Sequence, residues 1–454
     1  MDFIHEGGKD LKGLFNRFKK RDFSGDTGQT IKNSSYQLAQ NLVFKLGSLI
    51  FTIIVARILL PDLMGLYNLA LTTIILISSF SDLGIGSALI TFCSKNIGNK
   101  KYGKAKGYLK KLFEWKIYLL LISSLMILGG AYFISEFYYQ KPIFYALLVG
   151  GIYIPVLGLI GFFEQVFKSE QNFRIPLFKE ILFQISRMVI VPLAILLFIS
   201  SSISPEKLIP VVLLSLIFAY SLSLLYLFKF LKRVKFLKTK SEKLNSLEIK
   251  ELKKFIYPLS ATAMTGLFFG YTDTLMLGHF ISAKFIAYYI AAFSLVGGAT
   301  AIIGFMASAM IPIFARKQGK ELENIFKKTR NFSIFISLLA GIFTYFVSWY
   351  VVKLTYGVEY LPASQVLKLF SVLVFLLPIS GIYEGYFTTQ KRTKELAILL
   401  VGSTILNVIL NFIGITYGLN NFGEMGAVYG ACFATILSRI IYLGGLVIWR
   451  GRVF

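Results

Sequence analysis

Six basic side chains stand inside apolar stretches of this sequence: Lys45, Arg57, Lys116, Arg187, Lys368 and Arg439. The acids placed there are Asp82, Glu114, Glu164, Asp273 and Glu384. Each such group costs roughly 2.5–3.5 kcal/mol in a membrane on insertion scales, so it normally faces a partner or a wet cavity. A guanidinium is always charged and donates in a planar fork, which suits a phosphate or pyrophosphate. Arg187 and Arg439 lie near the middles of their stretches, and Lys45 less than halfway along its own. Arg57, Lys116 and Lys368 lie nearer the ends, where a long side chain can snorkel to the interface; that is the favoured reading for Lys116. Arg439 alternatively pairs with an acid of its own half. Asn407 and Asn411, one turn apart, serve either a hydroxyl-rich ligand or bonds between helices. The ligand-binding candidates are therefore Lys45, Arg57, Arg187, Lys368, Asn407, Asn411 and Arg439. Asp82 and Asp273 are the deepest acids; they carry a proton or Na⁺, or they neutralise a basic neighbour. Glu164 and Glu384 stand near one mouth, as a gate with Arg174 and Arg392 or as plain ion pairs. Cys93, Cys432, His5 and His279 form no CxxC and no Cys/His cluster, so neither a metal centre nor a cofactor is expected beyond H⁺ or Na⁺ coupling.

The elements that must position these groups follow from composition. The 454 residues are 56% hydrophobic and 16% aromatic, with only 16% charged, and the mean hydropathy is +0.68. A soluble chain of this length would carry about 25% charged residues. Soluble enzymes, disordered chains and secreted disulfide scaffolds are thereby excluded. Crossing a core of roughly 30 Å takes about 20 helical residues. Twelve runs qualify, at about 35–59, 64–92, 113–135, 143–168, 177–199, 208–231, 255–278, 284–313, 331–353, 363–388, 396–417 and 425–448. Backbone groups in lipid must pair internally, and these runs are too long for barrel strands, so they read as helices. The fold class is an all-α polytopic membrane protein.

Orientation comes from Lys and Arg outside the runs. One side collects 38 of them, and the other holds four: Lys141, Lys207, Lys284 and Lys353. The positive-inside rule puts both termini in the cytoplasm of a multi-pass cell-membrane protein. The net charge of +25 then faces the anionic inner leaflet of the bilayer, with no nucleic acid as partner. Residues 9–21 place Leu11, Leu14, Phe15 and Phe18 on one face of an interfacial helix, unless the tail is simply disordered. No cleavable signal peptide is visible.

The longest basic-side loop divides the chain into a 1–34 tail, a first lobe over 35–231, a 232–254 linker and a second lobe over 255–454. The lobes resemble each other at an offset of about 220 residues. Leu66-Tyr67-Asn68-Leu69-Ala70 matches Ala287-Tyr288-Tyr289-Ile290-Ala291, and Phe163-Glu164-Gln165-Val166-Phe167 matches Tyr383-Glu384-Gly385-Tyr386-Phe387. Six spans per lobe make the repeats parallel, as in carriers that rock about a central cavity. Pro155 and Pro378 are expected to kink the fourth span of each lobe. Gly84-Ile-Gly86-Ser-Ala88 supplies small-xxx-small spacing, read as close packing ahead of a hinge.

Several motifs carry a family resemblance. They are Ala56-Arg57-Ile-Leu, then Gly65-Leu-Tyr67, Asp82-Leu-Gly84-Ile-Gly86, and Asp273-Thr-Leu-Met276-Leu-Gly278. In this order and spacing they resemble Wzx-type polysaccharide flippases of the multidrug/oligosaccharidyl-lipid/polysaccharide (MOP) exporter superfamily. The resemblance covers essentially the whole membrane region, including the six-plus-six repeat, and implies a MATE-like fold. It also implies movement of an isoprenoid-(pyro)phosphate-linked oligosaccharide from the cytoplasmic to the outer leaflet, with Asn407 and Asn411 meeting sugar hydroxyls. Polysaccharide-assembly proteins are the implied protein partners. Three rivals stay open. An organic-cation or multidrug antiporter of the same superfamily needs an acidic cavity, whereas the deep residues here lean basic. A peptidoglycan-precursor flippase usually carries two additional spans. A membrane glycosyltransferase or polymerase needs a catalytic loop, and the loops here are short.

Overall fold

Helices carry almost the whole chain. The computed structural model describes residues 25–199 and 204–451, and among the described residues every regular element is helical. The 9–21 segment lies outside them. Helix α1 (Gly25–Ser79) holds two spans in one run, broken at Leu60 with φ 60° and ψ 172°. The cause is Pro61, which lacks a backbone N–H and drives the residue before it out of the α region. Span two breaks again at residues 80–84 before continuing as α2 (Ile85–Gly98). Leu83 and Gly84 sit there at φ 41° and 85°. Gly84 suits that left-handed position, and a Cβ on it would also press on Leu259. The stretch expected chiefly to pack is thus partly a break that exposes Asp82.

Span three is α3 (Tyr102–Tyr132), extended by a wider turn over Phe133–Tyr139. Spans four to six are α4 (Phe144–Ser169), α5 (Arg174–Ile199) and α6 (Pro205–Leu231). Spans seven to ten are α7 (Ser246–Phe280), α8 (Ala283–Arg316), α9 (Gly319–Thr355) and α10 (Ala363–Thr389). Helix α11 (Thr393–Gly451) again holds two spans, broken at Gly423. Straight, its 59 residues would reach about 88 Å, nearly three bilayer cores. Nine described helices are long and apolar enough to cross a membrane by length and composition. Two of these, α1 and α11, cross twice, and α7 supplies the remaining span, which gives twelve. Helices α4 and α10 run on through Pro155 and Pro378.

The 232–254 linker already contains the start of a helix. Helix α7 already begins at Ser246, because Asn245 and Glu248 form a reciprocal cap: the Asn245 Oδ1 accepts from the Glu248 N–H at 2.8 Å, and the Asn245 N–H donates to the Glu248 carboxylate at 3.0 Å. The remaining linker is strapped to the first half. Phe236 is fully buried, and the Lys106 ammonium donates to the carbonyls of Leu237 at 2.6 Å and Thr239 at 2.8 Å. The Lys235 N–H donates to the Glu170 carboxylate at 2.9 Å. Burial raises the pKa of that carboxyl, against the lowering effect of the Lys235 and Phe236 N–H groups.

In the first half α1 packs on α5, α5 on α6, and α4 on both α3 and α6. In the second, α10 packs on α8, α9 and α11, and α7 packs on α11. The halves meet mainly where α1 lies against α8. Gly65 belongs to that seam: a Cβ there would overlap the Ala283 carbonyl, so only glycine lets the backbones approach so closely.

Candidate functional site

The charged side chains separate into two clusters, one in each half. The first lies between spans one, four and five. Helix α5 presents Glu180, Gln184 and Arg187 at spacings of four and three, so they share one face. The Arg187 guanidinium donates through Nε to the Gln184 Oε1 and through Nη2 to the Ser48 Oγ, each at 2.9 Å. It lies 4.5 Å from the Phe51 ring centre and 4.9 Å from that of Phe183. The tyrosines Tyr67, Tyr153 and Tyr220 are within its electrostatic reach. The Gln184 Nε2 donates to Glu180 at 2.6 Å. Lys179 bridges Glu180, at 2.9 Å, and Glu164. Lys168 at 3.6 Å and the Gln40 amide at 3.4 Å complete the surroundings of Glu164. A continuous polar seam therefore runs from Glu164 to Arg187 and Ser48. Lys179 and Glu180 are only 5% exposed, so each carboxylate and ammonium there depends on its partner.

The second cluster centres on Asp273 in α7. Its Oδ2 accepts from the Tyr289 hydroxyl at 2.5 Å and from the Thr435 hydroxyl at 2.6 Å. Its Oδ1 accepts from the Asn411 Nδ2 at 2.5 Å. Asn407 donates to the Ser438 hydroxyl at 3.2 Å. Asn407 and Asn411 are both fully buried, yet the Oδ1 of each has no hydrogen-bond partner. Two buried acceptors without partners thus stand in the polar network that surrounds Asp273. Arg439 lies on the same side of the lobe, its guanidinium 3.6 Å from the Phe269 ring centre. It interacts electrostatically with Glu384 and Asp273, as expected if it serves an acid of its own half. Glu384 in turn is hydrogen-bonded to Tyr442.

Other candidates lie apart from both clusters. Arg57 donates through Nε to the Thr355 carbonyl at 2.6 Å and through Nη2 to that of Leu354. It caps the end of α9, where unsatisfied carbonyls and the helix dipole favour a cation. Lys368 stands 6.0 Å from the Tyr345 ring centre. Lys45 is exposed three residues before Ser48. No hydrogen bond or ion pair among the described residues joins these three to Arg187 or Arg439.

Asp82 is half-exposed in the break of span two, its side chain 51% exposed and 3.4 Å from the Lys116 ammonium, the basic neighbour it neutralises. Lys116 does not snorkel. It is 2% exposed and donates to the Ser81 carbonyl at 2.8 Å, since the break turns that carbonyl out of the helix ladder. The gate pairs are also different. Glu164 meets Lys179 and Lys168, while Arg174 stacks 5.5 Å from the Phe178 ring centre. Arg392 meets Glu395 at 3.0 Å, away from Glu384. Sequence reading missed Lys179 and Glu180, which lie at the start of the 177–199 run. The 180, 184, 187 spacing was the signal that could have found them.

On the sparsely charged side the halves are bolted together. Besides Arg57, the Tyr360 hydroxyl donates to the Ala56 carbonyl at 3.2 Å, and the Lys141 ammonium donates to the Gly278 carbonyl at 2.5 Å. The His279 Nδ1 lies 2.6 Å from the Tyr138 carbonyl oxygen. Burial lowers the Lys141 pKa.

The sequence model of the polysaccharide biosynthesis protein family matches residues 30–318, well over half the chain. The chain belongs to that family. A second model, MatE, matches residues 258–413. The solved structures most like it include the lipid II flippase MurJ in an inward closed conformation, with TM-score 0.65, 15% identity, and coverage of 91% of this chain and 87% of that one. An inward-facing multidrug resistance MATE family transporter of the MOP superfamily gives TM-score 0.64 at 16% identity, covering 93% and 94%. A eukaryotic MATE transporter gives 0.61 at 14%, covering 92% and 95%. No curated protein matches by sequence. The fold is therefore that of the MATE and MurJ structures, and its long apolar helices make the chain a multi-pass membrane protein.

Proposed function

We propose that this protein flips an isoprenoid-(pyro)phosphate-linked oligosaccharide from the cytoplasmic to the outer leaflet, for polysaccharide biosynthesis. The observation that carries the reading is the polysaccharide biosynthesis match over residues 30–318, the part of the chain that contains the Arg187 seam. A buried arginine backed by lysines favours an anionic headgroup over the organic cation of a multidrug extruder. Both termini face the cytoplasm, so the halves are bolted together on the outer side. Substrate then loads from the cytoplasmic side. The coupling ion, H⁺ or Na⁺, binds at Asp273, where the unpartnered amide oxygens of Asn407 and Asn411 supply further ligands.

Two measurements test this. On depletion of the protein, a lipid-linked glycan should accumulate on the cytoplasmic face; an unchanged lipid-linked pool removes the reading. Reporter fusions at Lys141, Lys207 and Lys353 should read outside, and those at Lys104 and Lys240 inside. An outside reading at Lys240 breaks the twelve-span orientation.

A further inference from the structure

The mouth of the seam between spans one and five holds a cleft of about 440 Å³, lined by Lys32 and Tyr36 of α1 and by Gln171, Asn172 and Arg174 of the turn into α5. That is the size of a small-ligand pocket, on the side that carries the basic loops. Its cations differ from those deeper in. Lys179 and Lys168 are matched by Glu164 and Glu180, whereas neither Lys32 nor Arg174 has an ion-pair partner among the described residues. Arg174 stands over the Phe178 ring and its guanidinium makes no hydrogen bond among the described residues. The side chains of Gln171 and Asn172 likewise make no hydrogen bond among the described residues. The cleft thus combines two uncompensated cations with unused amide donors, the donor set for a phosphate group. Its position ties it to the seam. Tyr36 and Gln40 are one turn apart on α1, Gln40 meets Glu164, and Ser48 meets Arg187. From Tyr36 to Ser48 the helix advances about 18 Å.

We propose that this cleft is a receiving site for the (pyro)phosphate group of an anionic ligand on the basic side, at the outer end of the seam that leads to Arg187. The proposal rests on the flippase reading for its substrate class, but the binding chemistry belongs to the cleft alone. Lys32 and Arg174 hold the phosphate oxygens, Gln171 and Asn172 add amide donors, and the Tyr36 hydroxyl closes one wall.

The test is equilibrium binding to the full-length purified protein, with farnesyl diphosphate and inorganic pyrophosphate as probes. Lys32→Gln combined with Arg174→Gln should weaken farnesyl diphosphate binding at least ~10-fold, the loss expected from one or two charge-assisted contacts. Lys32→Arg combined with Arg174→Lys should hold affinity within a few fold of the parent. Binding should weaken as salt rises. Pyrophosphate binding as tightly as farnesyl diphosphate would keep the phosphate site and place its ligand in solution; tighter farnesyl diphosphate binding places it on a lipid. If the double Gln variant binds farnesyl diphosphate like the parent, or the parent binds neither probe, the cleft assignment is overturned. The accumulation of lipid-linked glycan on depletion is a separate readout, so the flippase reading stands or falls independently.

Discussion

In vesicles with an imposed ten-fold Na⁺ gradient, or a one-unit pH gradient, Asp273→Asn should lose the gradient's effect on lipid-linked glycan distribution while keeping slow exchange. Such a gradient supplies about 1.4 kcal/mol per ion, enough for a ~10-fold concentration ratio at one ion per substrate. An ion drives a conformational equilibrium only through a difference in affinity between the two states. Asp273 is placed to provide one. Its three hydrogen bonds come from α7's neighbours Tyr289 in α8 and Asn411 and Thr435 in α11, so any shift between these helices changes the cation's surroundings. Asparagine keeps the size, removes the charge and leaves the amide oxygens of Asn407 and Asn411 without an anionic companion. The matched control is Asp82→Asn. That carboxylate faces the buried Lys116 across 3.4 Å from a half-exposed position, so its loss should lower thermal stability and leave the gradient response intact. A parent-like gradient response in Asp273→Asn would remove the coupling assignment, and a lost response in Asp82→Asn would move it to the break in span two.

Arg187→Ala should lower glycan export by roughly 10- to 100-fold with protein still in the membrane, the range expected for losing a charged hydrogen-bonding partner of a phosphate. Arg187→Lys should recover only part of this, because a point charge lacks the fork that now reaches both Gln184 and Ser48. A structural role alone predicts something else. Arg187 is stacked on Phe51 and Phe183, so a long apolar residue would preserve much of that packing. Arg187→Met should therefore retain most of the thermal stability while exporting as poorly as the alanine variant. If Arg187→Met exports like the parent, the guanidinium is a packing element and the phosphate role is wrong. Arg57→Ala, by contrast, should weaken the closure on the sparsely charged side by uncapping α9, with no change in phosphate affinity.

The spans, their helical nature and the charge asymmetry were legible in the sequence because a bilayer imposes simple one-dimensional rules. Any long apolar run must be a helix, and its length is set by the core it crosses. The break at Leu60 was readable in Pro61, whereas the one at Gly84 was read mainly as a packing motif. Which charges meet was decided only by tertiary structure. Lys116 looked like a snorkelling end residue and is buried, because an unwound Ser81 carbonyl and Asp82 wait for it across the first half. Arg174 and Arg392 looked like partners for the repeat-matched Glu164 and Glu384, but local stacking and a neighbouring Glu395 claim them. Asn411 and Asp273 are 138 residues apart in sequence, and the Asn411 Nδ2 donates to the Asp273 carboxylate at 2.5 Å. No spacing rule reaches that far. Sequence position gives the depth of a group along its own helix; which face it presents, and to whom, depends on how twelve helices rotate and break against each other.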